Sequence, residues 1–180
     1  MGIGENERNS RTRMLQLSYA IIGTGAIGGY YGARLQQSGR DVHFLLRGDY
    51  EQVKHQGLNV ASVDGDIALS DVQAYNNPKD LPAVDVVIVA LKTTQNGQIH
   101  QLLPKINPGG AIVCLQIGFG VEGAIAQQLE EQVKANTEII GGLCFICATK
   151  SGPGQIEHVD YGQILLGVHR ADEQRCAPTP

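Results

Sequence analysis

Tyr19-Ala-Ile-Ile-Gly23-Thr-Gly25-Ala-Ile-Gly28-Gly29 is the stretch that decides how this 180-residue chain is read. The run Leu17 to Ile22 is short, apolar and β-branched at its end, as a buried parallel strand is. Gly23, Gly25 and Gly28 follow as G-x-G-x-x-G, and Tyr30 to Gln37 reads as a helix closed by Gly39. Each glycine has a mechanical task. The first permits a tight turn, the second lets a pyrophosphate approach the backbone, and the third lets helix and strand pack closely. The helix N-terminus then offers free N–H groups and a positive dipole end to phosphate, along Gly23, Thr24, Gly25, Ala26, Ile27 and Gly28. The glycine pattern alone is weak evidence, but between a strand and a helix it predicts dinucleotide binding.

The end of the next strand selects among dinucleotides. Asp41-Val-His-Phe-Leu-Leu46 follows the helix, and Arg47 stands 19 positions after Gly28. An Asp or Glu there would accept from the 2′-OH of NAD and repel the 2′-phosphate of NADP. An arginine instead grips that phosphate through a charge-assisted, bidentate pair. Asp49 is the nearest acid, two residues on and past the expected strand. A solvated charge at a strand end is the plainer account of Arg47, and the spacing favours NADP(H) over it.

Strands and helices alternate through the rest of the chain, which predicts an α/β fold: a Rossmann-like, doubly wound, mostly parallel sheet with a terminal hairpin. Asp49 to Gln56 reads as a helical turn ended by Gly57, and Asp64-Gly65 as a tight turn between Leu58–Val63 and Ile67–Leu69. Asp85 to Leu91 is the clearest core strand. A helix is expected over Thr94 to Leu103, capped by Thr93 or Thr94. Strand Ala111 to Leu115, helix Val121 to Lys134 and strand Glu138 to Ala148 come next, and Gly152 to Leu166 reads as a final hairpin. The expected organisation is a disordered extension over 1–16, one folded domain over 17–168, and a linker or ragged end over 169–180.

Bulk properties narrow the partners. Hydrophobic residues make up 42% of the chain and glycine 23 positions, as in an α/β protein with many tight turns. The net charge of -4, with no basic run, argues against nucleic acid as a partner. No apolar stretch nears the roughly 18 residues that a membrane span needs. Met1 to Leu15 lacks the apolar core of a secretory signal, so a cytoplasmic location is expected. Four cysteines are not a disulfide framework in a chain of this kind. Cys144 and Cys147 form C-x-x-C, yet in a strand residues three apart face opposite ways, and no second ligand pair matches, so no metal is expected.

Ligands of open parallel sheets sit beyond the carboxyl ends of the strands. Lys92 comes directly after Leu91, where an ammonium could hold a substrate carboxylate or carbonyl; from position alone an ordinary surface lysine fits equally well. The turn Gln116-Ile117-Gly118-Phe119-Gly120 offers backbone groups and little acid–base chemistry. The five histidines are scattered, and His158 is the one worth watching. Reduction of a ketone by hydride needs a proton donor, and Lys92 is the sole convincing candidate.

Taken together, Ile22-Gly23-Thr-Gly25-Ala-Ile-Gly28-Gly29, Phe44-Leu-Leu-Arg47, Val86-Val-Ile-Val-Ala-Leu-Lys92-Thr-Thr-Gln95 and Cys114-Leu-Gln-Ile-Gly118-Phe-Gly120 resemble the N-terminal half of the ketopantoate reductase (2-dehydropantoate 2-reductase) family. The resemblance covers about residues 17–168. It implies NADPH-dependent reduction of the 2-oxo acid ketopantoate to pantoate, in pantothenate and coenzyme A synthesis. By position it places Gly23 to Gly28 at the pyrophosphate, Arg47 at the 2′-phosphate, Lys92 at the junction of cofactor and substrate, and Ala148, on a looser match, along the cofactor site. Two departures stand out. The family usually has Asn where this chain has Ile117, and an isoleucine cannot make that residue's hydrogen bonds to cofactor and substrate. Family members also carry a second, helical domain supplying the general-acid lysine and most substrate contacts, which is expected to be absent from these 180 residues. A fragment, a decayed product and a module completed by another chain all remain open, as do a homodimer, another 2-oxo acid as substrate, and a binding module without turnover.

Overall fold

The computed structural model describes residues 17–129 and 137–170. The expected extension over 1–16 lies outside them, as does the expected end region apart from His169 and Arg170.

β1 (Ser18–Ile22) leads through the glycine turn into α1 (Ala26–Gln37) and then β2 (Asp41–Leu45). On β1, Ala20 and Ile22 enter one hydrophobic cluster and Ile21 the other, so both faces of the strand are buried. That is why this segment reads as continuously apolar rather than alternating. α1 begins four residues before the expected Tyr30. Its Gly28 and Gly29 are poor helix formers, but the helix lies too close to its neighbours there to accept side chains.

After β2 the chain forms α2 (Tyr50–Gln56), β3 (Leu58–Ser62), β4 (Ile67–Leu69) and β5 (Gln73–Tyr75). β3 and β4 pair antiparallel around Asp64-Gly65, as expected. β5 had no counterpart in the sequence reading. β6 (Val84–Val89) and β7 (Ile106–Cys114) follow, the latter absorbing Pro108-Gly109-Gly110 through an irregular register against β6. Between them the expected helix is replaced by a 3-10 segment, Thr93–Gln98, and a single turn, α3 (Ile99–Leu102). Neither has a side-chain N-cap, and the 3-10 segment contains Gly97, a weak helix former.

α4 (Val121–Gln128) matches the first part of the expected Val121–Lys134 helix; residues 130–136 lie outside the described residues. β8 (Glu138–Gly152) and β9 (Gln155–Val168) form one long antiparallel hairpin turning at Pro153-Gly154. The expected final hairpin over Gly152–Leu166 is therefore one arm of a larger one. Tyr161 and Gly162, both at positive φ, mark a bulge within it rather than a turn.

The nine strands lie in the order β4-β3-β9-β8-β7-β6-β1-β2-β5. The stretch β5-β2-β1-β6-β7-β8 is parallel throughout. With β3 and β4 set aside, it has the doubly wound order 3-2-1-4-5-6. α3 and α4 cover one face, where Ile99, Val121 and Ile125 meet Val87, Val89 and Ile112. α1 covers the other, and β9, β3 and β4 extend the sheet beside it, so Tyr30, Tyr31 and Phe44 share a cluster with Leu58, Val60 and Ile156.

Candidate functional site

The carboxyl ends of β1, β2 and β6 converge on a cavity of about 350 Å³, the place a doubly wound sheet reserves for ligands. Gly23, Thr24 and Gly25 line it from β1, Arg47 from β2, and Lys92 and Gln95 from β6. Residues far apart in sequence and expected at a cofactor site thus share one wall.

Gly23 and Gly28 are required by the packing of the turn and of the helix, as the spacing predicted. Gly23 has φ of +100°, and a Cβ there would lie 2.7 Å from the Leu91 nitrogen. A Cβ on Gly28 would come within 2.3 Å of the Gly23 carbonyl oxygen and 3.0 Å of Ile21 Cγ2, so this glycine sets the distance between helix and strand. Gly25 differs. A Cβ on it would meet no heavy atom within 4 Å, so nothing in the protein requires a glycine there. The space it leaves faces the cavity at the N-terminus of α1, which has neither a side-chain cap nor an acidic residue in its first turn. An anion approaching the backbone fits this arrangement. Thr24 Oγ1 donates to the Leu45 carbonyl at 3.1 Å and ties the turn to β2.

Arg47 and Lys92 are exposed cations on this wall. Asp49, the nearest acid, does not cap α2. Its carboxylate accepts from the Gly154 N–H at 3.1 Å and pairs with Lys150 Nζ at 2.5 Å. Lys150, near the end of β8, lines the same cavity. Sequence reasoning passed over it, because only the return of the hairpin brings it to residue 49.

A second cavity, of about 530 Å³, opens between the β7–α4 turn and the hairpin, with Ile27, Gln116, Ile117 and Glu122 among its lining. Gln116 Nε2 donates to the Leu91 carbonyl at 2.8 Å and to Asn96 Oδ1 at 2.7 Å, which binds the ends of β6 and β7 together. Its Oε1 is buried and unpartnered. Ile117, next along, is 95% exposed and offers only a hydrocarbon. Ala26 opens α1, and Ala148 sits on β8 paired with His158, lining neither cavity.

The remaining titratable candidates are structural. His158 is buried, its ring nitrogens bonded to Ser62 Oγ at 2.8 Å and the Tyr161 carbonyl at 3.0 Å. Cys144 is half-buried while Cys147 is exposed, as opposite-facing strand positions should be. Burial pushes the Cys144 thiol up, against a smaller opposing effect of the neighbouring Tyr31 hydroxyl. Burial, helped by Glu122, lifts Cys114 to about 12. Among the described residues no group of three or more His, Cys, Asp or Glu is placed to hold a metal ion, and no helix is long and apolar enough to cross a membrane.

Residues 19–171 match the family described as ketopantoate reductase PanE/ApbA. A 2-dehydropantoate 2-reductase of Nostoc sp. is 55% identical over 155 residues, which is 86% of this chain and 47% of that protein. The crystal structure of 2-dehydropantoate 2-reductase from Geobacter metallireducens superposes with a TM-score of 0.77 at 44% identity, covering 84% of this chain and 49% of that one. D-mandelate dehydrogenase, solved with NADH and anilino(oxo)acetate, shares the fold at 24% identity and a TM-score of 0.70, covering 83% of this chain and 48% of its own. The chain spans about half the length of the relatives it matches. With most of its folded residues matched by that family, and with a Rossmann-type domain of its NAD(P)-dependent kind, the chain belongs to the ketopantoate reductases.

Proposed function

We propose that this domain holds NADP(H) for the reduction of a 2-oxo acid, ketopantoate to pantoate, in a cytoplasmic step of pantothenate and coenzyme A synthesis. The observation that carries the reading is the cavity itself: an open cradle at Gly25 on an uncapped helix, with Arg47 and Lys92 on the same wall. Gly23 to Gly28 take the pyrophosphate on backbone N–H groups and the helix dipole. Arg47 takes the 2′-phosphate, since its planar fork matches a phosphate bidentately. The chemistry NADPH supplies when bound is a hydride. Lys92, just past β6, directs its ammonium toward the carboxylate or carbonyl oxygen of the 2-oxo acid, where it would steady developing negative charge. Gln116 holds the β6 and β7 ends in register, so that Lys92 and Ile117 keep their spacing across the site. The rest of the substrate site, including a general acid, comes on this reading from a helical domain of the kind the family carries.

A second reading, an NADP(H)-binding module without turnover, is favoured by Ile117, whose exposed hydrocarbon cannot orient two reacting groups by hydrogen bonding. NADPH fluorescence separates the two. Enhancement on titration of the chain, followed by decay when ketopantoate is added, is the result expected of a reductase. Enhancement that stays constant supports the module, and no enhancement refutes both.

A further inference from the structure

We propose that Lys150 is a positioning residue for cofactor choice: it neutralises Asp49, so that the cavity wall beside Arg47 receives a 2′-phosphate. The inference rests on the NADP(H) reading above. Asp49 is the one acid among the residues lining this cavity, where Arg47, Lys92 and Lys150 supply the cations. Its carboxylate is mostly shielded, 15% exposed, and stands two residues from Arg47. Left alone it would repel a phosphate dianion held by that arginine. It could also accept from a ribose 2′-OH, which is how an acid in this region selects NAD.

The hairpin prevents both. Lys150 Nζ sits 2.5 Å from Asp49 Oδ2, and the Gly154 N–H at the hairpin turn donates to the same oxygen at 3.1 Å. The carboxylate is turned toward the hairpin and its charge is cancelled there. β8 and β9 therefore do more than extend the sheet: their turn delivers the cation that makes the acid harmless. Since the pair has no net charge, the lining retains the positive charges of Arg47 and Lys92.

The test is binding of NADPH and NADH, read by fluorescence, to the full 180-residue chain and its variants. Lys150→Met should weaken NADPH about tenfold, the discounted worth of one charge in a half-exposed site. NADH binding should hold or tighten. Adding Asp49→Asn to Lys150→Met should restore NADPH, because the amide can still accept from Gly154 without carrying charge. Equal weakening of both dinucleotides would make Lys150 a merely structural contact and overturn the inference. So would an unchanged NADPH affinity, or a double variant no better than the single one. Arg47→Ala separates the two levels. If it loses NADPH selectively while Lys150→Met does not, this inference fails alone. If Arg47→Ala leaves the NADPH-to-NADH ratio untouched, or the unaltered chain binds neither, the cofactor reading fails and takes the inference with it.

Discussion

The glycine turn and the β8–β9 hairpin are the two regions that shape this molecule, and they are built on opposite terms. At Gly23 and Gly28 of the turn, atoms are packed until only glycine fits, and the strands it connects are buried on both faces. The hairpin is buried on one face only. Ile156 and His158 point into the core, while on the other side Leu143, Phe145 and Leu165 are 75%, 60% and 74% exposed. Phe145 and Tyr161 touch there with ring centroids 4.3 Å apart and planes tilted by 49°, yet more than half of each remains in solvent. A half-buried strand normally carries polar residues outward, and a contiguous apolar outer face is the mark of an interaction surface. In the turn, packing accounts for nearly every residue. On the hairpin, the inner face is explained by this chain and the outer face is not.

The largest effect should come from testing the two faces of the hairpin against each other. Ile156 is 3% exposed and its Cδ1 reaches toward Gly29 of α1. Ile156→Ala should cost about 2–5 kcal/mol in denaturant unfolding, through lost burial and the cavity left behind. Leu165→Ser, on the outer face, should change stability by no more than about 0.5 kcal/mol. Similar losses from both would mean that the outer face is packed in solution as well.

Within the turn the same contrast recurs between two glycines three residues apart. Gly28→Ala drives a methyl group against the Gly23 carbonyl oxygen, which is backbone and cannot swing away. The expected loss is about 1–3 kcal/mol, typical of overpacking. Gly25→Ala meets nothing within 4 Å and should leave the melting temperature where it was, while weakening NADPH binding. A Gly25→Ala chain that binds NADPH normally would break the proposal that the phosphates approach this backbone.

Much of this contrast can be traced to what a sequence exposes locally. The β1–α1–β2 unit is legible because its signals are short-range: a β-branched run, a glycine spacing, a closing glycine. Arg47 and Lys92 could be found by counting from those signals, and the fold gathers them in one cavity. β5 is three residues with no alternation, held by long-range pairing to β2 and by the Leu46 N–H to Tyr75 carbonyl bond, so nothing local announces it. The Thr93–Leu102 segment misled because Asn96 and Leu91 are committed to Gln116, 20 and 25 residues away. Lys150 was invisible for the same reason: its meaning is Asp49, which lies 101 positions earlier.

Arg47→Glu probes the turn side at the level of ligand choice. Charge reversal on an exposed wall should weaken NADPH at least about tenfold, or about 1.4 kcal/mol, with NADH little affected. The fall should also shrink at high salt, because the site is open to solvent. An unchanged NADPH-to-NADH ratio would return Arg47 to the plainer role of a solvated charge at a strand end.

The smallest effect, and the one that reads both regions in a single experiment, concerns the cysteines. Cys114 lies in β7 at 1% exposure, and its thiol is raised to about 12, mainly by burial. Cys147 is on the outer face of the hairpin, and Cys144 behind it is half-buried and also raised by burial. The thiolate is the reactive species, so a maleimide at pH 8 should modify Cys147 before Cys144, and Cys114 only on unfolding. The sign of the pH dependence follows from the same burial. Folded Cys114 keeps its proton where the unfolded chain, with a value near 9.0, has lost it. The folded state then binds more protons, and stability declines as pH rises from about 9 toward about 12. Peptide mapping that finds Cys114 labelled as fast as Cys147 would show that β7 opens readily. The parallel sheet would then be no more tightly closed than the hairpin, and the division between the two regions would not survive.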